Sequence, residues 1–239
     1  MNGLPLGSST TITPVSHARF WTDIYDDHGN LVPAVPETKD NQPLSALHPK
    51  ASEGPHTLYF DLEISKSLDE CGGSWDRVRR EGGVSVLCIW DERENRPYFY
   101  DSSTLDRAAE HLCMADLVVS FNGRWFDVPL IENHLARSLP IKEHLDLFVL
   151  VKSALARENK SWKGHGLDAL ASGTIGRGKI GSGAGAPGLA KDGRWAELFS
   201  YCLEDVLLTR SLGHFIQENS FVIDRDGDKL ALDVPEWFK

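Results

Sequence analysis

The sequence lacks several features that would assign it to a class of protein at once. No apolar run approaches the roughly 20 residues of a transmembrane helix, so we expect no membrane contact. The first 14 residues contain neither the basic nor the apolar region of a signal peptide. No C-x-x-C pair occurs, which argues against a zinc or disulfide framework and indicates reduced thiols at Cys71, Cys88, Cys113 and Cys202. These absences predict a cytoplasmic protein.

An excess of basic residues is also missing, because the formal net charge is −10 at pH 7. Proteins that hold nucleic acid by bulk electrostatics are usually basic, so this charge argues against a tight, non-specific binder. It does not exclude an enzyme that acts on phosphates, since bound divalent cations can supply the positive charge that meets them.

The distribution of proline divides the chain into an extension and a domain. Seven of the 12 prolines lie in residues 1–56, which indicates an extended arm or partial disorder rather than a second core. Within this arm only residues 18–32 have the pattern of a hairpin. The arm is a candidate docking segment for a protein partner, and the sequence does not indicate an oligomeric state. We expect a folded domain over 57–217, with a C-terminal hairpin or tail packed on it over 218–239.

Short apolar strands alternate with helices from Thr57 onward. The order of these elements is β-β-β-α-β-α-β-loop-α, which predicts an α/β fold with a mixed sheet and flanking crossover helices. Strands are expected at 57–63, 84–90, 96–100 and 116–122, helices at 103–114, 128–137 and 195–217, a strand that passes into a helix at 142–155, and a terminal hairpin at 221–234.

Two acidic residues lie on one face of the first strand. Asp61 and Glu63 are spaced i, i+2 in TLYFDLEIS and therefore project together, while Leu62 faces the core. Two carboxylates on a buried strand are costly unless a cation compensates them. The alternative is a strand end whose acids point to solvent.

A third acid follows the strand 116–122. Asp127 ends the stretch FNGRWFD and opens the next helix, at the edge of the sheet where ligands gather in α/β folds. The alternative is a simple helix N-cap. In the same stretch, Asn122 can hold the turn or contact a substrate backbone, and Trp125 or Phe126 can stack on a base, although core packing competes for both aromatic side chains.

The last candidates lie on the long helix 195–217. Tyr201 and Asp205 are spaced i, i+4 and share one helical face. Taken alone, this pair also fits an ordinary surface contact.

Together, D-x-E, N-G-x-x-F-D and Y-x-x-x-D resemble the three motifs of the DEDD superfamily of 3′–5′ exonucleases, which share a ribonuclease H-like fold. The resemblance covers roughly 57–217 and is strongest to the tyrosine subtype, as in proofreading domains of family B DNA polymerases and stand-alone bacterial or phage relatives. The histidine subtype would need histidine at position 200, which is Ser200 here.

The resemblance implies a two-metal mechanism with Mg²⁺ or Mn²⁺ held by Asp61, Glu63, Asp127 and Asp205. Tyr201 would orient the attacking water, because an unperturbed tyrosine, with a pKa of about 10, is a poor base. The implied substrate is the 3′ end of a single-stranded nucleic acid, with DNA favoured over RNA, and the products are nucleoside 5′-monophosphates. Substrate contacts are expected at Leu62, Asn122, Arg124, Trp125 and Phe126. A structure-selective or RNA-directed nuclease, and a non-catalytic nucleic-acid-binding or interaction module, remain alternatives.

Two further patterns are weaker. Residues 164–188 contain nine glycines and imitate a P-loop, but Ile180 stands where the hydroxyl residue is needed, so we expect a mobile loop in which Arg177 and Lys179 can close over a strand. Asp224, Asp226 and Asp228 imitate a calcium loop without its distal glutamate, which favours a hairpin turn.

Overall fold

The structure is a computed structural model that describes residues 54–178 and 185–239. The predictions for the N-terminal arm up to residue 53, including the hairpin at 18–32, fall outside the described residues. The same is true of Lys179. Within the described ranges, no helix is both long and apolar enough to cross a membrane.

Seven strands and seven α-helices are described. The strands are β1 (Thr57–Ile64), β2 (Val84–Asp91), β3 (Arg96–Asp101), β4 (Leu117–Ser120), β5 (His144–Asp146), β6 (Phe221–Ile223) and β7 (Lys229–Ala231). The helices are α1 (Trp75–Glu81), α2 (Leu105–Met114), α3 (Asp127–Leu135), α4 (Leu147–Arg157), α5 (Leu167–Ile175), α6 (Ala186–Lys191) and α7 (Trp195–Asn219), and a short 3₁₀ turn follows at Glu236–Phe238.

Five strands form one mixed sheet in the order β3-β2-β1-β4-β5. The pairs β3–β2 and β2–β1 are antiparallel, whereas β1–β4 and β4–β5 are parallel. The predicted fold class is therefore confirmed: this is a mixed α/β sheet flanked by helices, consistent with a ribonuclease H-like fold.

The two faces of β1 have different partners because side chains alternate along a strand. Leu58, Phe60 and Leu62 belong to a fully buried core that α2 and α3 complete. On the other face, Tyr59 and Asp61 lie beneath α7: the Cys202 thiol donates to the Asp61 carbonyl oxygen at 3.3 Å. Asp61 therefore lies on the face of the sheet opposite this apolar core.

The prediction of a loop over 164–188 is wrong for its first part, because α5 occupies Leu167–Ile175. Burial of Leu167, Leu170 and Ala171 against the rest of the domain overrides the low helix propensity of glycine. Gly173 has a packing reason, since a Cβ there would lie 3.3 Å from the carbonyl oxygen of Ile223. Helices α1 and α6 were also not predicted, as both are short.

The C-terminal hairpin β6–β7 is tied to α4 and α5. Thr174 accepts a hydrogen bond from the backbone N–H of Ile223 at 2.9 Å, and Arg157 donates to the carbonyl oxygen of Ala231 at 3.0 Å. Asp224 in the turn accepts from the backbone N–H groups of Asp226 and Asp228, as expected of a hairpin turn.

Candidate active site

The first pair of acids comes from β1. Asp61 lies opposite Cys88, and Glu63 lies opposite Val86, in the antiparallel pairing with β2. Glu63 is 7% exposed, so its carboxylate has lost nearly all contact with water. The pairing shifts register directly after Glu63. Asp61 is half-buried and Glu63 is buried, which fits the interpretation of two carboxylates that project together from a buried strand.

Asp127 reaches the same strand from the start of α3. The parallel pairing of β1 with β4 ends at Tyr59 and Val119, which leaves the next part of this β1 edge without a strand partner in the described residues. The Asp127 carboxylate lies beside that edge, where the backbone N–H groups of Leu62 and of Asp127 itself act to lower its pKa. The second motif therefore lies next to the first.

Burial, with a further contribution from the nearby Asp146, raises the pKa of Asp127 to about 7. Asp127 is 5% exposed and Asp146 is 3% exposed, so water screens their repulsion weakly. The backbone hydrogen bonds to Asp127 act in the opposite direction but do not cancel this effect. Because this site disfavours the ionised form of Asp127 so strongly, a bound cation would stabilise the ionised carboxylate.

Asp146 is a residue that the sequence analysis missed. It caps α4 by accepting from the backbone N–H of Phe148 at 3.0 Å. It also accepts from the backbone N–H groups of Asn122 at 2.8 Å and Arg124 at 3.1 Å, and so fixes the turn that precedes Asp127. The signal in the sequence was a lone aspartate between apolar residues at a strand-to-helix boundary, in HLDLF.

That turn requires glycine at its second position. A Cβ on Gly123 would lie 2.6 Å from the Ser120 hydroxyl oxygen and 3.1 Å from a carboxylate oxygen of Asp127. Asn122, the residue before it, has a φ of 69°, a left-handed conformation that asparagine tolerates better than most residues. The N-G pair is therefore explained by the backbone of the turn.

Helix α7 supplies the third motif. Asp205 is 4% exposed, and Tyr201, one turn earlier, is half-buried. Between them, Cys202 lies so close to β1 that its sulfur and the carboxylate oxygens of Asp61 and Glu63 fall within 4.8 Å of one another. Burial, with neighbouring Cys88 adding to it, raises the pKa of the Cys202 thiol well above its usual range. The thiol therefore stays protonated, and the carboxylates are the candidate metal donors.

The acids open onto a cavity of about 430 Å³. Asp61, Asp205 and Asn122 line it, which brings all three sequence stretches to one place. Three aromatic side chains that the sequence analysis did not single out form another part of the wall: Phe121, Phe148 and Trp162.

These aromatic side chains form a connected group. The Phe121 and Phe148 rings stack with centroids 5.0 Å apart, and Trp162 meets Phe148 edge-on at 6.3 Å. The Lys152 ammonium lies 4.4 Å from the centroid of Phe148 and 5.7 Å from that of Trp162. Trp162 is 55% exposed, so one face of the group is accessible from solvent.

Of the five residues suggested for substrate contacts, Asn122 is the one that lines this cavity among the described residues. Two others have side chains that pack elsewhere: Leu62 is buried in the apolar core, and Phe126 packs against the same core beside Trp75. Trp125 is 57% exposed but does not line the cavity. Arg124 donates to the carbonyl oxygen of His144 at 2.6 Å and is engaged in holding the turn.

Known proteins show similarity to this chain in structure alone. No family model matches the sequence, and no curated protein does. Among solved structures, the fold is similar to the family B DNA polymerase from the hyperthermophilic archaeon Pyrobaculum calidifontis, with a TM-score of 0.53 and 19% sequence identity. The match covers 68% of this chain and 24% of the polymerase chain. At this level of identity the similarity establishes the fold, and the function has to be argued from the site.

Proposed function

We propose that the chain is a metal-dependent 3′–5′ exonuclease of the tyrosine DEDD subtype, which hydrolyses single-stranded nucleic acid to nucleoside 5′-monophosphates. One observation carries the proposal. Carboxylates from three separated stretches come together at β1, where Asp61 and Asp205 share a cavity, Glu63 lies beside Asp61, and the backbone N–H of the intervening Leu62 lies close enough to Asp127 to lower its pKa.

The residues present fit a divalent metal centre. Carboxylate oxygens are the donors that Mg²⁺ and Mn²⁺ prefer, and Asp61, Glu63, Asp127 and Asp205 would hold the ions. Three of the four are buried, and the raised pKa of Asp127 reflects negative charge that the protein itself leaves poorly compensated. When bound, such ions neutralise charge on the scissile phosphate and activate a water molecule for attack.

The chain's own groups would position the substrate and the water. Tyr201 would orient the attacking water through its hydroxyl. Phe121, Phe148 and Trp162 offer surfaces on which unpaired bases can stack, and Lys152 provides a positive charge beside them for a phosphate. Stacking of this kind is tolerant of base sequence, as an exonuclease requires.

DNA is the preferred substrate in this proposal, because the structurally similar protein is a DNA polymerase. The acidic net charge agrees with a distributive enzyme that holds a strand end locally rather than along its length.

The proposal is tested by degradation of single-stranded DNA in Mg²⁺ or Mn²⁺ by the wild type, Asp61→Asn and Asp205→Asn. We expect each variant to lose activity by about 100-fold or more, because a metal ligand is removed without a change of side-chain size. Glu204→Gln is the matched control, since Glu204 is adjacent to Asp205 but more exposed, and it should retain activity. Equal activity in all four proteins would overturn the proposed site.

A second measurement separates a nuclease from a binding module that kept the fold. Mn²⁺ should raise the melting temperature of the metal-free wild type, because an ion that binds the native state stabilises it. Asp61→Asn should lose most of that shift. A module that binds no metal at these carboxylates would show the same shift, or none, in both proteins.

A further inference from the structure

A second cluster of metal-ligating side chains lies on the other face of the sheet. His56 directly precedes β1, Asp91 ends β2, and His111 lies in α2. Asp91 is paired with Leu58, whose side chain belongs to the apolar core, whereas Asp61 and Glu63 face α7. The cluster is therefore separate from the carboxylate site and shares no residue with it.

We propose that His56, Asp91 and His111 bind a zinc ion, or a chemically similar divalent cation, in a structural site. Their ligand atoms lie within 4.8 Å of one another. The distance from Asp91 Oδ2 is 2.9 Å to His56 Nε2 and 3.4 Å to His111 Nε2. In a tetrahedral site with metal–ligand bonds of about 2.0–2.1 Å, two donor atoms are separated by about 3.3 Å, which is close to both values.

Plain hydrogen bonding accounts well for the contact of Asp91 with His56 and less well for its contact with His111. The distance from His111 Nε2 to Asp91 is longer than an ordinary N–H···O hydrogen bond of about 2.7–3.2 Å. The other ring nitrogen of His111, Nδ1, lies 2.9 Å from the Tyr100 hydroxyl. In the tautomer in which Nδ1–H donates to Tyr100, Nε2 presents its lone pair toward Asp91, and a cation held between them satisfies both groups.

Each ligand also has the supporting contacts that metal sites use to fix ligand orientation. Tyr100 orients the ring of His111. The second carboxylate oxygen of Asp91 accepts from the backbone N–H groups of Arg93 at 2.8 Å and Glu94 at 3.0 Å. The backbone N–H of His56 donates to Asp116 at 3.0 Å. The side chains of Asp91, His111 and His56 are 2%, 10% and 13% exposed, so all three are largely removed from solvent.

The ligand set determines which cation is bound. Two imidazoles and one carboxylate favour zinc and related transition metals over Mg²⁺, which prefers oxygen donors. The bound ion would join the start of β1, the end of β2 and α2. Its role is to stabilise the fold, and this inference does not depend on the proposed nuclease activity.

The test uses the full chain with Asp61→Asn and Asp205→Asn, stripped with EDTA, so that the carboxylate site binds cations poorly. Zinc is added in the presence of excess Mg²⁺, free metal is removed, and the zinc retained is measured. Co²⁺ is titrated in parallel, because tetrahedral Co²⁺ absorbs visible light. We expect one zinc ion per chain, a visible Co²⁺ spectrum, and a rise in melting temperature on the order of 5 °C with saturating zinc.

Variants assign the binding to the cluster. His56→Gln should weaken zinc binding about tenfold or more, and Tyr100→Phe, which removes no ligand, should also weaken it. His134→Gln is the matched control, because His134 is exposed on α3, and it should bind zinc as before. Absence of retained zinc and of a Co²⁺ spectrum would overturn the proposal. Equal zinc binding in the three variants would also overturn it. His56→Gln removes a ligand and Tyr100→Phe removes the contact that orients His111, whereas His134→Gln changes neither.

Discussion

At the scale of single residues, Asp146 determines the shape of the site although it is not among the motif residues. Its carboxylate accepts three backbone hydrogen bonds, from Asn122, Arg124 and Phe148, and thereby joins the turn of the second motif to the start of α4. The repulsion between Asp146 and Asp127 is a cost that this arrangement carries.

We predict that Asp146→Ala lowers the free energy of unfolding by about 2–4 kcal/mol, because three backbone N–H groups lose their acceptor in a buried site. Relief of the repulsion with Asp127 offsets only part of this loss. Urea denaturation of metal-free protein measures the change. Asp106→Ala is the matched control, since its side chain is 74% exposed and its loss should change stability little. Equal stability of the two variants would contradict the role given to Asp146.

Some site residues could be predicted from the sequence and others could not, for physical reasons. Spacing along the chain indicates which side chains share a face: i, i+2 for Asp61 and Glu63 on a strand, and i, i+4 for Tyr201 and Asp205 on a helix. The link from Asp127 to the Leu62 N–H depends on where the pairing of β4 with β1 stops, which no local pattern encodes. The same limit hid the aromatic group at the cavity, whose members come from three separate parts of the chain.

At the scale of elements, the close packing of α7 on β1 sets the position of the third motif. A Cβ on Gly213 would lie 2.9 Å from Cε1 and 3.1 Å from the hydroxyl oxygen of Tyr59. Tyr59 is 1% exposed and meets His214 edge-on, so its ring has no free space to move into. Glycine at position 213 therefore allows the helix that carries Tyr201 and Asp205 to approach the strand that carries Asp61.

We predict that Gly213→Ala destabilises the protein by about 1–3 kcal/mol, despite the better helix propensity of alanine, because the added methyl group overpacks this contact. Nuclease activity should fall as well, since α7 is displaced from β1. Gly188→Ala is the control, because a Cβ at that helical position meets nothing within 4 Å. A Gly213→Ala variant as stable and active as Gly188→Ala would show that the contact does not position the helix.

The elements that the sequence predicted wrongly also have a physical explanation. Helix α5 lies in a glycine-rich stretch, and its stability comes from Leu170 and Ala171, which are fully buried against other parts of the domain. The local sequence favours a loop there, but packing against distant parts of the chain stabilises a helix instead. The longer strands and helices, whose apolar patterns extend over eight residues or more, were predicted close to their observed bounds.

At the scale of the whole molecule, acid should destabilise the fold through His144. Burial, with a further contribution from nearby Arg124, lowers the pKa of His144 to about 4. Between this value and the unfolded pKa of about 6.5, the unfolded chain binds more protons than the native protein. The contribution of neutral His144 to stability is therefore complete above pH 6.5 and is lost as the pH falls toward 4.

We predict that the stability difference between the wild type and His144→Gln shrinks by up to about 3 kcal/mol as the pH falls from 7 to 4. Comparison with the variant is necessary because the raised pKa of Asp127 acts with the opposite sign in metal-free protein, and that contribution is common to both proteins. Urea denaturation at several pH values gives the difference. A difference that stays constant with pH would contradict the buried, neutral histidine.

The account as a whole rests on the claim that three stretches of sequence form one metal-dependent site for 3′ ends. The most direct test uses single-stranded DNA and RNA that are labelled at the 3′ end or at the 5′ end. The labelled products are analysed after incubation with the protein in Mg²⁺ or in Mn²⁺. The account predicts that the 3′ label is released first, as a mononucleotide, that the 5′-labelled strand shortens stepwise, and that DNA is degraded faster than RNA. Internal cleavage that also opens circular single strands, or no cleavage by folded, metal-loaded protein, would contradict it.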